Sequence, residues 1–279
     1  MKYSMPIQDL IKKRKSVRTY TGEALNEVNK NELAAFMNEL SGEEHRFELI
    51  DFSFKEGSKI GTYGMIKGAN AYIVGIMPKR EGCNLHASFR FGYDFEQIVL
   101  KATELGFGTC WMAATFNNGD VSRLVDLDSE EQVVMVSPIG YAGKKRTAEK
   151  LTRFFAKADN RKPWSELFFN QDETMPLSQA DVNGYGEAFE MVRIAPSAAN
   201  LQPWRIIKRN DKFEFYAATT SYASKPDQKI DMTYNDMGIA LAHFELTAKE
   251  LGLVGEWKLM DCDMTGLGEQ IFVGTWKCK

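Results

Sequence analysis

The sequence predicts an α+β protein built from two related halves. Three observations carry this. Helical and strand periodicities alternate along all 279 residues; WRIIKR and KFEFYAA read as a hairpin of strands; and ATELGFGTCW (Ala102 to Trp111) returns as AKELGLVGEW (Ala248 to Trp257). The two decapeptides keep Ala, Glu, Leu, Gly and Trp in register. The same offset also aligns Gly92 with Gly238 and Leu100 with Leu246. That offset is close to half the chain, as an internal duplication requires. The length also exceeds the usual size of one domain.

The elements follow in order. Ile7, Leu10 and Ile11 fall at helical spacing between Pro6 and Lys15, giving a short amphipathic helix that ends in KKRKSVR. A second helix runs from about Asn26 to Leu40. HRFELIDFSF alternates as a strand does, and ANAYIVGIM is a compact apolar run rich in β-branched residues, as in a buried strand. GSKIGTYG between them supplies the glycines of a turn. A longer helix is expected from about Gly92 to Leu105, with Phe95, Ile98, Val99 and Ala102 on one face, stopping at GFGTCW. VVMVSPIGYA is a further strand.

After Tyr141 the chain becomes polar and basic, and the apolar LTRFF within it marks a surface crossover rather than a disordered linker. The halves are therefore residues 1–150 and 151–279, with the crossover at about 142–180. In the second half a helix is expected from about Gly184 to Ile194, then the hairpin, then a helix from about Tyr234 to Leu251.

Composition narrows the function. Apolar residues at 44% and charged residues at 26% leave no low-complexity tail or collagen-like repeat to explain, so a folded protein is expected. A net charge of −3 supplies no field for holding a nucleic-acid backbone, so no nucleic-acid partner is expected. MKYSMPIQDLIKKRKS is too polar for a signal peptide, and no window approaches the roughly 18 apolar residues of a membrane span. A cytoplasmic protein with no membrane partner is expected. Cys83, Cys110, Cys262 and Cys278 show no paired spacing and are read as thiols.

Common catalytic patterns are missing. Cys83 and His86 form C-x-x-H without a second pair, while His243 and His45 stand alone, so no metal site is expected. GTYG and GFG lack the spacing of a dinucleotide or phosphate loop, and no G-x-S-x-G occurs.

Two segments carry polar chemistry. In RKSVR, Arg14, Ser16 and Arg18 alternate, so in an extended chain their side chains point one way and could grip a phosphate and a carbonyl edge. Read alone, the segment is better explained as a solvated basic helix end. APSAANLQPW offers Ser197, Asn200 and Gln202 in a turn stiffened by Pro196 and Pro203. Read alone, it is better explained as a helix stop anchored by Trp204.

R-x-S-x-R after a short helix, APSAANLQPWRI, the long helix ending in LGFGTCW, and PIGY followed downstream by RKPWSELF together resemble the FMN-dependent nitroreductase family. The resemblance spans nearly the whole chain, and more narrowly resembles that family's TM nitroreductase group. It implies a mostly antiparallel sheet with flanking helices in each half, packed as an intrachain pseudo-dimer through central helices. The order of the motifs departs from the usual one. The first half has R-x-S-x-R but NELSGEEHRFEL in place of the loop, and the second half has the loop without R-x-S-x-R. One chain would thus stand in for the family's dimer, act as a monomer, and keep one of two flavin sites.

By the resemblance, Arg14, Lys15 and Ser16 would hold the phosphate and ribityl end of FMN, and Arg18 the N1 and O2 edge of the ring. Trp111, Met112, Ala113 and Ala114 match the place where backbone N–H groups lie near flavin N5, the small residues allowing close approach. Arg161 matches a late phosphate-binding arginine, and Pro196, Ser197, Asn200 and Gln202 would cover the ring. Thr62, or Tyr63, is a further ribityl candidate. The activity implied is hydride transfer from NADH or NADPH to a nitroaromatic, quinone or similar small-molecule acceptor by a ping-pong route, with no catalytic side chain. A flavin-sequestering protein without turnover, or a domain with neither flavin nor activity, are the other readings.

Overall fold

A computed structural model describes residues 3–53, 60–79, 85–144, 146, 160–172, 174–218, 230–259, 266–267 and 270–279. LTRFF, Cys83 and Cys262 lie outside these. The chain forms two compact units that interleave in sequence. The first comprises Met1–Met5, Lys13–Glu81 and Phe95–Phe155, and the second Pro6–Lys12, Gly82–Asp94 and Ala156–Lys279.

In the first unit, α2 (Glu27–Leu40) begins where the Asn26 side chain accepts the N–H groups of Val28 and Asn29, satisfying two orphan donors of the first turn. α1 (Ile7–Lys13) precedes it in the chain. Strands β1 (Arg46–Asp51), β2 (Ala71–Pro78), β3 (Gly108–Thr109) and β4 (Glu131–Gly140) form an antiparallel sheet in the order β1-β2-β4-β3. β2 and β4 lie centrally and are buried along nearly their whole length, which is why both read as continuous apolar runs. Their inward residues Tyr72, Val74, Ile76, Val133 and Val136 form a core with Ile50, Phe52 and Met112. A short helix α4 (Asn118–Ser122) lies against β4.

In the second unit, α5 (Trp164–Leu167) leads into β5 (Phe168–Asn170), which pairs in parallel with β6 (Trp204–Arg209). β6 forms the expected hairpin with β7 (Lys212–Ala218). α6 (Gly186–Arg193) precedes the loop to β6, and α7 (Met232–Glu250) separates β7 from β8 (Gly255–Leu259). A central strand β10 (Gln270–Cys278) lies between β7 and β8 and also pairs with β9 (Gly266–Leu267). Neither β5 nor β10 was foreseen, because RKPWSELF and QIFVGTWKC mix polar, glycine and aromatic residues without a clean period. The core centres on Phe244 of α7, ringed by Tyr185, Phe189, Phe213, Phe215, Trp257 and Trp276.

The strand orders β1-β2-β4-β3 and β6-β7-β10-β8 are one topology: a hairpin, a long helix, an edge strand, and a last strand inserted centrally. The long helix of the first repeat, α3 (Leu85–Glu104), starts a full two turns before Gly92, where the sequence placed its beginning. Gly92 is instead interior. A Cβ there would stand 2.1 Å from the Asn235 carbonyl oxygen, and a Cβ on Gly238 would stand 2.1 Å from that of Phe89. The repeat offset carries Phe89 to Asn235 and Gly92 to Gly238, so the two contacts are reciprocal. Glycine is present because two helix backbones meet there.

The repeated helix ends also match bond for bond. Gly106 and Gly252 adopt φ of 85° and 71°, where glycine carries no Cβ penalty. Phe107 N–H donates to Ala102 O and Leu253 N–H to Ala248 O, at 2.8 and 2.9 Å. Among the described residues no helix is long and apolar enough to cross a membrane, and no group of three His, Cys, Asp or Glu could hold a metal ion.

Candidate functional site

In the first unit the RKSVR segment leaves α1 extended. Ser16 bridges Thr109 in parallel, and Val17 N–H donates to Thr109 O at 2.8 Å. Val17 and Thr19 are buried while Arg14, Ser16 and Arg18 are half-buried, as alternation in an extended chain demands. Lys15 is exposed. Buried nitrogens remain without a hydrogen-bond partner here: Arg14 Nε and Arg18 Nη1. Orphaned buried donors are rare and costly, about 1–3 kcal/mol each, and more for charged groups.

Arg14 is steered by Glu96 of α3, whose Oε1 lies 3.7 Å from Arg14 Nε, with both side chains almost wholly inaccessible. The other oxygen of Glu96 accepts the Trp111 indole N–H at 3.0 Å, and Trp111 packs edge-on against Phe95. One buried carboxylate therefore links the arginine segment to the segment after the glycine stop. Met112 is committed to the core, exchanging both backbone hydrogen bonds with Val136. Ala113 and Ala114 follow at partly and fully open positions, and none of the described hydrogen bonds uses their amides. Thr62 is buried and turns inward, its hydroxyl exchanging 3.4 Å hydrogen bonds with Ile66 backbone atoms, while Tyr63 is exposed at φ 49°. This turn runs on to Lys67, whose N–H donates to Arg18 O.

In the second unit the Pro196–Gln202 stretch is a tight knot. Ser197 Oγ accepts the Gln202 N–H at 2.9 Å, and the Gln202 side chain accepts the Lys162 N–H and donates to Asn200 O. Arg161 donates to Asn200 Oδ1 at 2.9 Å and to Ile194 O, so Arg161, Ser197, Asn200 and Gln202 are brought together. Pro196 is half-buried beside them. Ala199, Asn200 and Gln202 all have φ between 48° and 59°, conformations that cost an L-residue about 1–3 kcal/mol each. Such strain persists only where the surroundings over-determine it. Burial, and the neighbouring Arg205 cation, hold the Lys162 ammonium below the ordinary lysine value against a weaker pull from Glu166. This side of the turn is cationic and suits an anion.

The opposite side is held by Asp236 of α7. Its carboxyl accepts the Ala198 N–H at 2.9 and 3.2 Å. Burial raises its pKa well above the usual carboxylate value, and Asp231 adds to this, outweighing the Ala198 and Asn235 hydrogen bonds. Neither Glu96 nor Asp236 was singled out from sequence. Glu96 sits on an amphipathic helix and Asp236 on one buried nearly all round, and in neither does the sequence mark the acidic residue as buried.

The family model described as "Putative TM nitroreductase" matches residues 6–248. The chain belongs to this family. A putative nitroreductase from Thermotoga maritima shares the fold of this chain with a TM-score of 0.56 at 20% identity, over 100% of this chain and 95% of that one. A nitroreductase family protein from Clostridium difficile 630 scores 0.43 at 20% identity, over 60% and 96% of the two chains. An FMN-dependent nitroreductase from Clostridium difficile R20291 scores 0.40 at 20% identity, over 49% and 88%. No curated protein matches. In the first unit the described donors, two guanidinium groups and the Ala113 and Ala114 amides, suit a ligand rich in acceptors, and in the second unit the cationic turn suits an anion.

Proposed function

We propose that this protein is an FMN-dependent oxidoreductase that takes electrons from NADH or NADPH and delivers them to a nitroaromatic, quinone or similar small acceptor. The observation that carries the reading is the extended Arg14–Ser16–Arg18 segment, whose buried Arg14 Nε and Arg18 Nη1 lack a hydrogen-bond partner among the described residues, in a nitroreductase fold. The chemistry that FMN supplies when bound is two-electron transfer between a nicotinamide and a second substrate. The chain supplies binding and electrostatics. Arg14 and Ser16, with exposed Lys15 beside them, are assigned to the phosphate and ribityl end, Arg14 aimed by Glu96. Arg18 is assigned to the carbonyl edge of the ring, where a fixed cation favours negative charge and raises the reduction potential. The Ala113 and Ala114 amides are assigned near N5, and Arg161, Pro196, Ser197, Asn200 and Gln202 as further FMN ligands.

The repeat argues for one FMN per chain. The offset that aligns Trp111 with Trp257 carries Ala113 to Leu259, which stays in the sheet opposite Gly274 of β10. The second repeat thus keeps in its ladder the stretch that the first repeat releases after Met112. It also lacks R-x-S-x-R. Purified protein should be yellow and carry one FMN per chain. Anaerobic mixing with NADH or NADPH should bleach it rapidly and saturably, and an acceptor should restore the colour. A loaded protein that does not bleach is a flavin carrier, and a colourless one that FMN cannot load overturns the proposal.

A further inference from the structure

We infer that Asp236 is a positioning residue: a buried carboxyl whose task is to hold Ala198, and through it the Ser197–Gln202 turn, in its left-handed conformation. The consequence for FMN rests on the function proposed above, whereas the geometry stands without it. Asp236 is only 3% exposed, and among the described residues the ionisable neighbour acting on it is another acid, Asp231, which caps α7 by accepting the Tyr234 N–H. Asp231 is itself fixed by donating its N–H to Ser88 Oγ. An acid in such a place is kept only for what it binds. What Asp236 binds is the Ala198 amide, between the two polar side chains Ser197 and Asn200.

The repeat separates this role from simple helix packing. The helix crossing uses the matched pairs Phe89 and Asn235, and Gly92 and Gly238. The residue that matches Asp236 within the same turn of helix is Arg90. Arg90 is half-exposed and lies 3.9 Å from Asp94, one turn on. The crossing therefore does not require an acid at this position. The acid is found in the repeat that carries the turn, and not in the one where NELSGEEHRFEL replaces it.

The remaining contacts leave Asp236 its task. Asn200 N–H donates to Ser197 O, Leu201 N–H to Ala198 O, and Gln202 N–H to Ser197 Oγ, all within the turn. Arg161 and Lys162 tie down Asn200 and Gln202. The Ala198 amide is left to the helix, and Asp236 receives it with both oxygens.

Two substitutions isolate the bond from opposite ends. Asp236→Asn keeps an acceptor of the same shape, and Asp236→Leu removes it. Ala198→Pro removes the donor and leaves Asp236 in place. Proline is tolerated there because Ser197 is already extended (φ −149°, ψ 161°), as a residue before proline must be, and Ala198 opens a short helical turn. Two readouts are taken on the full chain: hydrogen exchange of the 194–203 segment in the flavin-free protein, and FMN affinity by fluorescence titration. Asp236→Asn should keep both. Asp236→Leu and Ala198→Pro should exchange the segment faster and weaken FMN about tenfold, the loss of one hydrogen bond. Wild-type protection of the segment in Asp236→Leu and Ala198→Pro would overturn the inference, as would equal damage from Asp236→Asn. Should the parent protein itself fail to bind FMN, the proposed function falls while hydrogen exchange still decides the role of Asp236.

Discussion

The sharpest consequence of the contact between α3 and α7 concerns a single methyl group. Substituting alanine for Gly238 places a Cβ 2.1 Å from Phe89 O and 2.7 Å from Tyr93 N. A carbon and a carbonyl oxygen settle at roughly 3.3–3.6 Å, so the helices must part by about 1 Å along that line. The obstructing atoms are backbone inside a helix and cannot swing aside as a side chain can. Overpacking of this kind lies at the upper end of its usual range, about 3 kcal/mol. Alanine returns about 1 kcal/mol through its better helix propensity. The net loss is about 2 kcal/mol, which lowers the melting temperature by roughly 4–8 °C in a protein of this size. Gly92→Ala faces Asn235 O at the same 2.1 Å and should behave alike. The double variant should lose less than the sum, because helices already parted for one methyl accommodate the other. Thermal unfolding followed by circular dichroism checks this. A rise of a few degrees in either single variant, the result propensity alone would give, refutes the reciprocal crossing.

Three further outcomes are expected. Arg18→Ala should weaken FMN binding by about 1–3 kcal/mol, the range of a hydrogen bond to a charged group, and lower the flavin potential; unchanged affinity and potential remove Arg18 from the site. Glu96→Leu leaves the Arg14 cation and the Trp111 indole N–H without their buried partner and should cost about 3–5 kcal/mol in denaturant unfolding, whereas Glu96→Gln, which keeps an acceptor for the indole, should cost less. Equal losses in the two variants would deny Glu96 its charge role. The raised pKa of Asp236 means that the native state keeps a proton which the unfolded chain releases near the ordinary carboxylate value, 3.8. Its contribution is therefore fully present below that value and is lost as pH rises through the folded pKa. Asp236→Asn should flatten this part of the stability profile, and a profile identical to that of the parent contradicts the buried protonated acid.

Legibility from sequence followed physical scale. Helical spacing of apolar residues and the two glycine stops are local signals, so α2, α6 and α7 were anticipated to within a few residues. Strands β1, β2, β4, β6 and β7 showed their alternation or their continuous apolar character. β10 did not, because its neighbours on both sides let polar and glycine residues occupy a central strand. Gly92 misled for a clear reason: within one sequence, a glycine that ends a helix and a glycine that lets two helices touch are the same letter. The candidate ligands Arg14, Ser16, Arg18, Ser197 and Asn200 were visible as unusual clusters of donors, while Glu96 and Asp236, which aim them, were not.

By itself, then, the sequence determined what is local or repeated: the helical and strand periods, the turn residues, and the duplicated helix end with its glycine and tryptophan. Tertiary structure decided which acids are buried, which glycines face another backbone, and which amides the sheet leaves unused. Those are properties of pairs of residues far apart in the chain, and desolvation and steric contact exist only once folding has brought such pairs within a few ångströms of each other.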